Sequence, residues 1–530
     1  MTTADERFRS IPGIISVNAP RFAERIAIVD GECRVTFTEL RDQMFEVARA
    51  AVAMGVQPGD RVAIWAPNSA RWIAVALGLL STGTWLVPLN TRFKGEEAAF
   101  VLGKSEAVAL FTVTDFLGVD YYSLLGQAAP GLGVLQNTVV LEGPVPPGAI
   151  GWDTFLAGAA SVPEADIAER IAAIGPDDVS DVMFTSGTTA RPKGAMLTHG
   201  SSLRCFEAWN VGFGLGPEDK MVVINPFFHC FGYKAGWMLS LMVGATVYPM
   251  AVLKPEVLLE LISSEGITML PGPPTLFTSI LDHPGRSSFD LSSLRVAFVG
   301  ASTVPAELIH RLQRELSFES ITTGYGLTEA TAMVANSAPG DDPEVAATWS
   351  GQVLPGIDVR VVDDKGGEVP VGDEGEILVR GFNIMKGYLG DPAATREAID
   401  AEGWLHTGDI GFINEARYIK ITDRKKDIFI CGGFNVSPAE VENSLMGMEG
   451  VQQVAVVGKA DHRMGEVGVA FVVARPGYTL SAGDIEAHAR MHLANYKVPR
   501  DVHLVDGLPL NASGKVLKTD LRLKLDSLSQ

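Results

Sequence analysis

Two stretches of the chain carry no charge, residues 72–91 and 235–253. Each is about long enough to cross a bilayer. Each is also broken internally, the first at Ser81-Thr82-Gly83-Thr84 and Pro88, the second at Gly244-Ala245-Thr246 and Pro249. The pattern predicts one supersecondary unit used twice: a buried helix, a glycine turn and a buried strand ending in proline. Strands that are apolar throughout, rather than alternating, belong in mostly parallel sheets covered on both faces. Residues 61–65, 182–184, 221–224, 268–270 and 295–300 read the same way, with helical periods at 255–264 and 306–316. Alternating strand and helix predicts doubly wound α/β architecture in two related sheets.

After about Gly351 the texture changes. Residues 358–362, 376–380 and 418–421, with a Lys365-Gly366-Gly367 turn, read as shorter antiparallel strands of a small barrel or sheet. A charged run, Asp423-Arg424-Lys425-Lys426-Asp427, then precedes a third texture: helix at 438–446, strand at 451–457, helix at 482–493. This predicts a large N-terminal domain over 1–425, with two α/β subdomains and a β subdomain from about 351. A small α+β C-terminal domain follows over 426–530, with the charged run as its linker.

The composition is that of an ordinary globular protein, 47% hydrophobic and 20% charged over 530 residues, which excludes disordered, collagen-like and coiled-coil chains. Lys+Arg 43 against Asp+Glu 63 leaves a formal charge of −20, which argues against sequence-independent binding to nucleic acid or anionic lipid. A small anion can still be held where a few cations gather. Cys33, Cys205, Cys230 and Cys431 form no CxxC pair, so neither a disulfide framework nor a zinc cluster is expected, and a reducing cytoplasm is. Residues 1–9 are polar and charged with no apolar segment behind them, so no secretory leader and no integral membrane association are expected. The pattern is compatible with a homodimer.

The strongest local signal is Phe184-Thr185-Ser186-Gly187-Thr188-Thr189-Ala190-Arg191-Pro192-Lys193-Gly194, small hydroxyl residues and glycines directly after a buried strand. Backbone N–H groups and hydroxyls in such a loop converge on phosphate oxygens, with Lys193 as a point charge. It is not the GxxxxGK[ST] pattern of P-loop NTPases. Composition alone leaves a solvated polar surface loop as the other reading.

Five further patches follow in order: Asn225 to Tyr233 (NPFFHCFGY), Tyr325 to Glu329 (YGLTE), Trp404 to Asp409 (WLHTGD), ITDRKKDIFICGGFNVSPAEVE and LPLNASGKVLK. With the phosphate loop, these resemble the motifs of the adenylate-forming superfamily, specifically its acyl-CoA ligases, over nearly the whole chain. PFFHCFGYKAG and LPGPPT are further similar to actinobacterial ligases for bulky polycyclic acids such as steroid ring remnants.

The resemblance implies a two-step reaction. A carboxylate attacks the α-phosphorus of ATP, giving acyl-AMP and pyrophosphate; the thiol of coenzyme A then displaces AMP. By that resemblance Thr185, Ser186, Gly187, Thr188, Thr189 and Lys193 hold the β- and γ-phosphates, and Thr328 contacts the α-phosphate. Gly300, Ala301, Ser302, Tyr325 and Gly326 border the nucleotide, Glu329 coordinates Mg2+, and Asp409 accepts the ribose hydroxyls with Arg424 assisting. Lys515 bridges substrate carboxylate and α-phosphate; without the other motifs it reads as a solvated lysine in a Gly-Lys turn. Lys426 is the hinge, and Gly432 and Gly433 let pantetheine approach the backbone. His229, otherwise a packed core histidine, takes the gating position of the pocket. Phe231, Tyr233, Lys234, Gly324, Ala332 and Met333 join it around the acyl group.

Residues 225–236 contain no carboxylate, so an α-amino acid would bury an unpaired ammonium there. A large hydrophobic acid is expected instead. One departure stands out: the family loop reads TSGTTGxPKG, and here Ala190 replaces the second glycine. This leaves a second reading, an enzyme weak in adenylation that mainly thioesterifies acyl-AMP. A third is a non-catalytic ligand-binding protein on the same scaffold.

Overall fold

The computed structural model describes residues 3–185, 192–300, 304–316, 318–338, 340–432, 434–511 and 514–528. Both uncharged stretches fold as the pattern predicts. In the first, helix Ala70–Ser81 is followed by Gly83 at φ +82 and strand Trp85–Pro88. In the second, helix up to Val243 is followed by Gly244 at φ +85 and strand Thr246–Pro249. A left-handed backbone at the turn is what glycine supplies at low cost. Among the described residues no helix is long and apolar enough to cross a membrane.

The two sheets are mostly parallel. The larger runs Gln352–Val353, Ala335–Asn336, Ser320–Tyr325, Val296–Val299, Met269–Gly272, Lys220–Val223, Thr246–Pro249, Ile26–Asp30, Cys33–Thr36, parallel from Ser320–Tyr325 to Ile26–Asp30 and antiparallel at both edges. The second runs Ile150–Gly151, Asn137–Glu142, Ala109–Val113, Arg61–Trp65, Trp85–Pro88, Val179–Thr185, Lys193–Thr198, and only its last pair is antiparallel. Chain order does not give this division: the early hairpin Ile26–Asp30/Cys33–Thr36 joins the sheet built mainly from residues 220–353.

Helix Ala70–Ser81 packs between the sheets, and Trp72 through Ser81 are all buried. Trp72 meets Phe227, Tyr233 and Trp237 edge-on at 5.3–6.1 Å. Tyr233 and Trp237 belong to a segment that periodicity does not foresee, because Phe231–Met238 is a π-helix. Its wider turn brings Gly232 so close to the preceding loop that a Cβ there would lie 2.1 Å from the Asn225 carbonyl oxygen. Such turns often accompany functional sites.

Of the barrel or sheet expected after Gly351, the structure has a four-stranded antiparallel sheet in the order Ile357–Val362, Gly375–Gly381, Leu405–Ile413, Ile419–Arg424. Beyond the charged run, Phe434–Val436, Phe429–Cys431, Gly465–Ala474 and Val451–Asp461 form a separate sheet, with Asp501–Leu504 paired parallel to Gly465–Ala474. Helices Pro438–Met446 and Ala482–His492 pack on one face over their own core, including Phe429, Val441, Leu445 and Ile485.

Candidate active site

The site forms where the larger sheet, the antiparallel hairpin of the smaller sheet and the four-stranded sheet meet. Strand Ser320–Tyr325 ends with Tyr325, whose hydroxyl donates to Asp409 Oδ2 at 2.7 Å. Arg424 lies directly across the strand pair from Asp409 and holds Oδ1 through Nε at 2.9 Å. Asp409 is 2% exposed, and these two partners compensate its buried charge. Burial first, and the Asp409 charge second, push the Tyr325 phenol well above its usual range, so it remains a neutral donor.

Gly326 must be glycine: a Cβ there would lie 1.8 Å from the Ala332 carbonyl oxygen. The chain then passes through the one-turn helix Thr328–Ala330 into Thr331 and Ala332, both left-handed at φ 51 and 68. The conformation is costly for residues with a Cβ, and buried Asn383 braces it. Thr331 Oγ1 donates to the Asn383 carbonyl at 2.6 Å, and Asn383 Nδ2 donates to the Met333 carbonyl at 2.9 Å.

In the phosphate corner, strand Val179–Thr185 pairs with Lys193–Thr198 so that Thr185 faces Lys193. Ser186, Gly187, Thr188, Thr189 and Ala190 lie outside the described residues, as do Ala301, Ser302 and Gly433. Glu329 Oε1 accepts from Thr185 Oγ1 at 3.3 Å and from the Tyr388 hydroxyl at 2.9 Å. Lys193 Nζ sits 5.2 Å from the Tyr388 ring centre. Tyr388 belongs to no motif. It arrives because residues 386–389 bond along the strand Lys193–Thr198, through Met196 to Gly387 at 2.9 Å and Leu389 to Gly194 at 2.8 Å.

The pocket segment packs around a ring the motifs do not contain, Phe298. Phe231 meets it edge-on at 5.4 Å, and Trp209 at 4.9 Å. Gly300 and Gly324 back onto it, since a Cβ on either would come within 2.7 and 3.2 Å of its ring; Met333 lies 3.2 Å from the same point on Gly324. His229 Nδ1 accepts from the Phe231 N–H at 3.2 Å, which leaves the proton of the neutral ring on Nε2. Burial and then the Lys515 charge lower its pKa to about 4, so it is uncharged near neutral pH.

Tyr233 and Lys234 do not join this surface. Both are fully buried: Tyr233 stacks on Trp237 at 4.7 Å, and the Lys234 ammonium bonds Asp181 at 2.8 Å and Ser202 at 2.5 Å. The π-helix turns these two side chains into the protein interior, which a reading of the motif alone does not reveal. Asn68 is a further residue without a sequence signal. It clamps the pocket segment by donating to the carbonyls of Val223 and Asn225 and accepting from the Phe227 N–H at 2.8 Å.

Lys515 reaches this corner from the C-terminal sheet's side of the charged run. Asn511 braces its backbone in both directions, each bond 2.8 Å. Gly514, at φ +79, abuts Pro273 and Thr275. Burial first and the Arg424 charge second lower the Lys515 pKa to about 8, with Asp409 opposing. Lys515 therefore shares its surroundings with His229, Arg424 and Asp409. Across the charged run, Asp423 Oδ2 accepts from Ser437 Oγ at 2.7 Å and from the Ala439 N–H at 3.2 Å, capping helix Pro438–Met446. Lys426 is exposed, and desolvation by the groups around it, then Arg424, lowers its pKa. Gly432 is not brought to the site. It is exposed at φ +60, on a hairpin that also exposes Ile430 and Phe434.

The sequence model of the AMP-binding enzyme matches residues 15–389, and that of the AMP-binding enzyme C-terminal domain matches 440–515. The chain belongs to the AMP-binding enzyme family. Among curated relatives, the 3-[(3aS,4S,7aS)-7a-methyl-1,5-dioxo-octahydro-1H-inden-4-yl]propanoyl:CoA ligase of Rhodococcus jostii (strain RHA1) is 47% identical, covering 98% of this chain and 99% of its own. The ligase of the same name from Mycobacterium tuberculosis (strain ATCC 25618 / H37Rv) is 46% identical, covering 97% and 98%. Among solved structures, the anthranilate CoA ligase AuaEII in complex with anthranoyl-AMP superposes with a TM-score of 0.90 at 26% identity, covering all of both chains.

Within this AMP-binding family the chain is an acid–CoA ligase that works through an acyl-AMP intermediate. Such a ligase must bring a carboxylate anion against a polyphosphate. In a chain of net charge −20, Arg424 and Lys515 lie together around Asp409, and Lys193 lies beside Tyr388.

Proposed function

We propose that this ligase activates a bulky polycyclic carboxylic acid, of the dioxo-hydrindane propanoate type named for its relatives, and transfers it to coenzyme A. The 47% identity over 98% of the chain carries the reading. The aromatic surroundings of the pocket segment are consistent with it: Phe231 packs edge-on against Phe298, and Gly300 and Gly324 stay small so that the Phe298 ring fits beside them. An amino acid is disfavoured, because Asp181, the carboxylate that approaches the π-helix, is already paired with Lys234.

In the first step the carboxylate attacks the α-phosphorus and pyrophosphate leaves. The residues here act by position and charge. Lys193 and the loop after Thr185 hold the β- and γ-phosphates, Thr328 the α-phosphate, and Asp409 with Arg424 the ribose. Tyr325 and Gly326 border the adenine, and Lys515 bridges the two reacting anions. Glu329, beside the Thr185 hydroxyl, offers the hard oxygen donors that suit Mg2+. Among the described residues no cluster of three or more ligating side chains forms, so the rest of such an ion's shell would come from substrate oxygens and water. When bound, that ion offsets phosphate charge.

In the second step the coenzyme A thiol attacks the acyl carbonyl and AMP leaves. The C-terminal domain, 426–530, rotates about Lys426 against 1–425 to replace Lys515 by the Gly432-Gly433 turn, which admits pantetheine. The enzyme works in the cytoplasm, as its unpaired thiols Cys205, Cys230 and Cys431 suggest.

The test is product detection by mass spectrometry with ATP, Mg2+, coenzyme A and a set of acids. The dioxo-hydrindane propanoate is expected to exceed straight-chain and cinnamate-type acids by about tenfold or more in kcat/KM. Preference for either of the other classes overturns the substrate assignment.

A further inference from the structure

Arg92 belongs to none of the motifs, yet it touches the segment that carries Lys515. Its Nη1 donates to the Leu510 carbonyl at 3.1 Å, a bond between the smaller sheet's surroundings and the C-terminal region 418 positions away. Leu510 adjoins Asn511, which grips the Lys515 backbone on both sides, and Leu510 pairs with Val516 across the same turn. Whatever holds Leu510 therefore holds the frame of Lys515.

The arginine is exposed, but its base is rigid. The turn after strand Trp85–Pro88 is pinned from below by Trp65 Nε1 on the Asn90 carbonyl at 3.0 Å and by the Tyr121 hydroxyl on the Thr91 carbonyl at 2.8 Å. Those two rings stack face to face at 4.4 Å. Asn90 Oδ1 accepts the Arg92 N–H at 2.9 Å. A cation on a fixed turn that donates to a carbonyl of the moving segment is suited to a latch. On the opposite side, Gly514 rests against Pro273 and Thr275, which gives the Lys515 loop a second seat.

We propose that Arg92 is a positioning residue for adenylation, latching the Leu510 carbonyl so that the Lys515 loop stays in the site. The inference rests on the role proposed for Lys515. The latch must open for the C-terminal domain to turn, so a single charge-assisted hydrogen bond to an exposed donor is strong enough to bias the pose without locking it.

Two measurements test it. In hydrogen exchange read by mass spectrometry, Arg92→Ala is expected to speed exchange about fivefold in peptides carrying Leu510 and Val516, consistent with loss of one hydrogen bond. Peptides of the Val451–Asp461 strand should be unchanged, and Arg92→Lys should restore most of the protection. Unchanged exchange at Leu510 and Val516 overturns the latch. In acyl-AMP formation without coenzyme A, from the dioxo-hydrindane propanoate, Arg92→Ala is expected to slow the enzyme about fivefold when Lys515 is present and not at all in a Lys515→Ala background. Equal slowing in both backgrounds means Arg92 acts elsewhere and overturns the proposal. A Lys515→Ala enzyme that forms acyl-AMP at the wild-type rate would instead overturn the role of Lys515 itself.

Discussion

Tyr325 and Arg424 each hold one oxygen of Asp409, at 2.7 and 2.9 Å, and thereby join strand Ser320–Tyr325 of the larger sheet to the last two strands of the four-stranded sheet. Removing the phenol leaves one oxygen of a 2%-exposed carboxylate without that donor. Tyr325→Phe is therefore expected to destabilise the protein by about 1–3 kcal/mol, read as a lower Tm. Asp409→Ala is expected to raise KM for ATP by about tenfold or more, since it removes a carboxylate that can accept two charge-assisted hydrogen bonds. A Tyr325→Phe protein as stable as wild type contradicts the bracing role.

The pH dependence of adenylation follows from Lys515. Its pKa is lowered to about 8 by burial and by Arg424, so the bridging ammonium is the major form below that pH and is lost above it. In kcat/KM for the acid, acyl-AMP formation is expected to fall about tenfold per pH unit above the free-enzyme pKa. Arg424→Ala removes the like charge and frees Asp409 to act on Lys515, and both changes move the limb to higher pH. A profile flat to pH 10, or an unmoved limb in Arg424→Ala, goes against the assignment.

Lys426 stands where the two parts of the chain join, beside the Asp423 carboxylate that caps helix Pro438–Met446. The pose described here has Lys515 in the site and Gly432 away from it. Lys426→Pro fixes φ near −65° and is expected to keep acyl-AMP formation within about threefold of wild type while slowing thioester formation at least about thirtyfold, as a trapped hinge requires. Single-turnover measurements of each half-reaction decide this. Equal loss in both, or loss in neither, contradicts a hinge at this position.

What the chain discloses about itself differs by the range of the interaction. The helix–glycine–strand units are legible because an uncharged run and a glycine at positive φ are local facts, as Gly83 and Gly244 illustrate. Tyr325, Glu329, Asp409, Arg424 and Lys515 are singled out in the sequence because their motifs are local patterns, and the structure brings Tyr325 and Arg424 onto Asp409. Phe298, Tyr388, Asn68 and Arg92 are not: each matters through a partner 59 to 418 positions away, such as Glu329, Phe231 or Leu510, and only folding supplies the partner. Lys234 is misread for the same reason, since the π-helix decides which way its side chain turns. The replacement at Ala190 remains a sequence observation, and Ala190→Gly with a pyrophosphate-release readout addresses it.

The central claim is that one lysine serves one half-reaction, and Lys515→Ala tests it most directly. Acyl-AMP formation from acid and ATP should fall by about 10²–10³, the effect of removing one charge contact in a preorganised site. Thioester formation from supplied acyl-AMP and coenzyme A should stay within about threefold of wild type, because that contact acts only in the other transition state. An equal loss from acyl-AMP, or undiminished adenylation, would contradict the account.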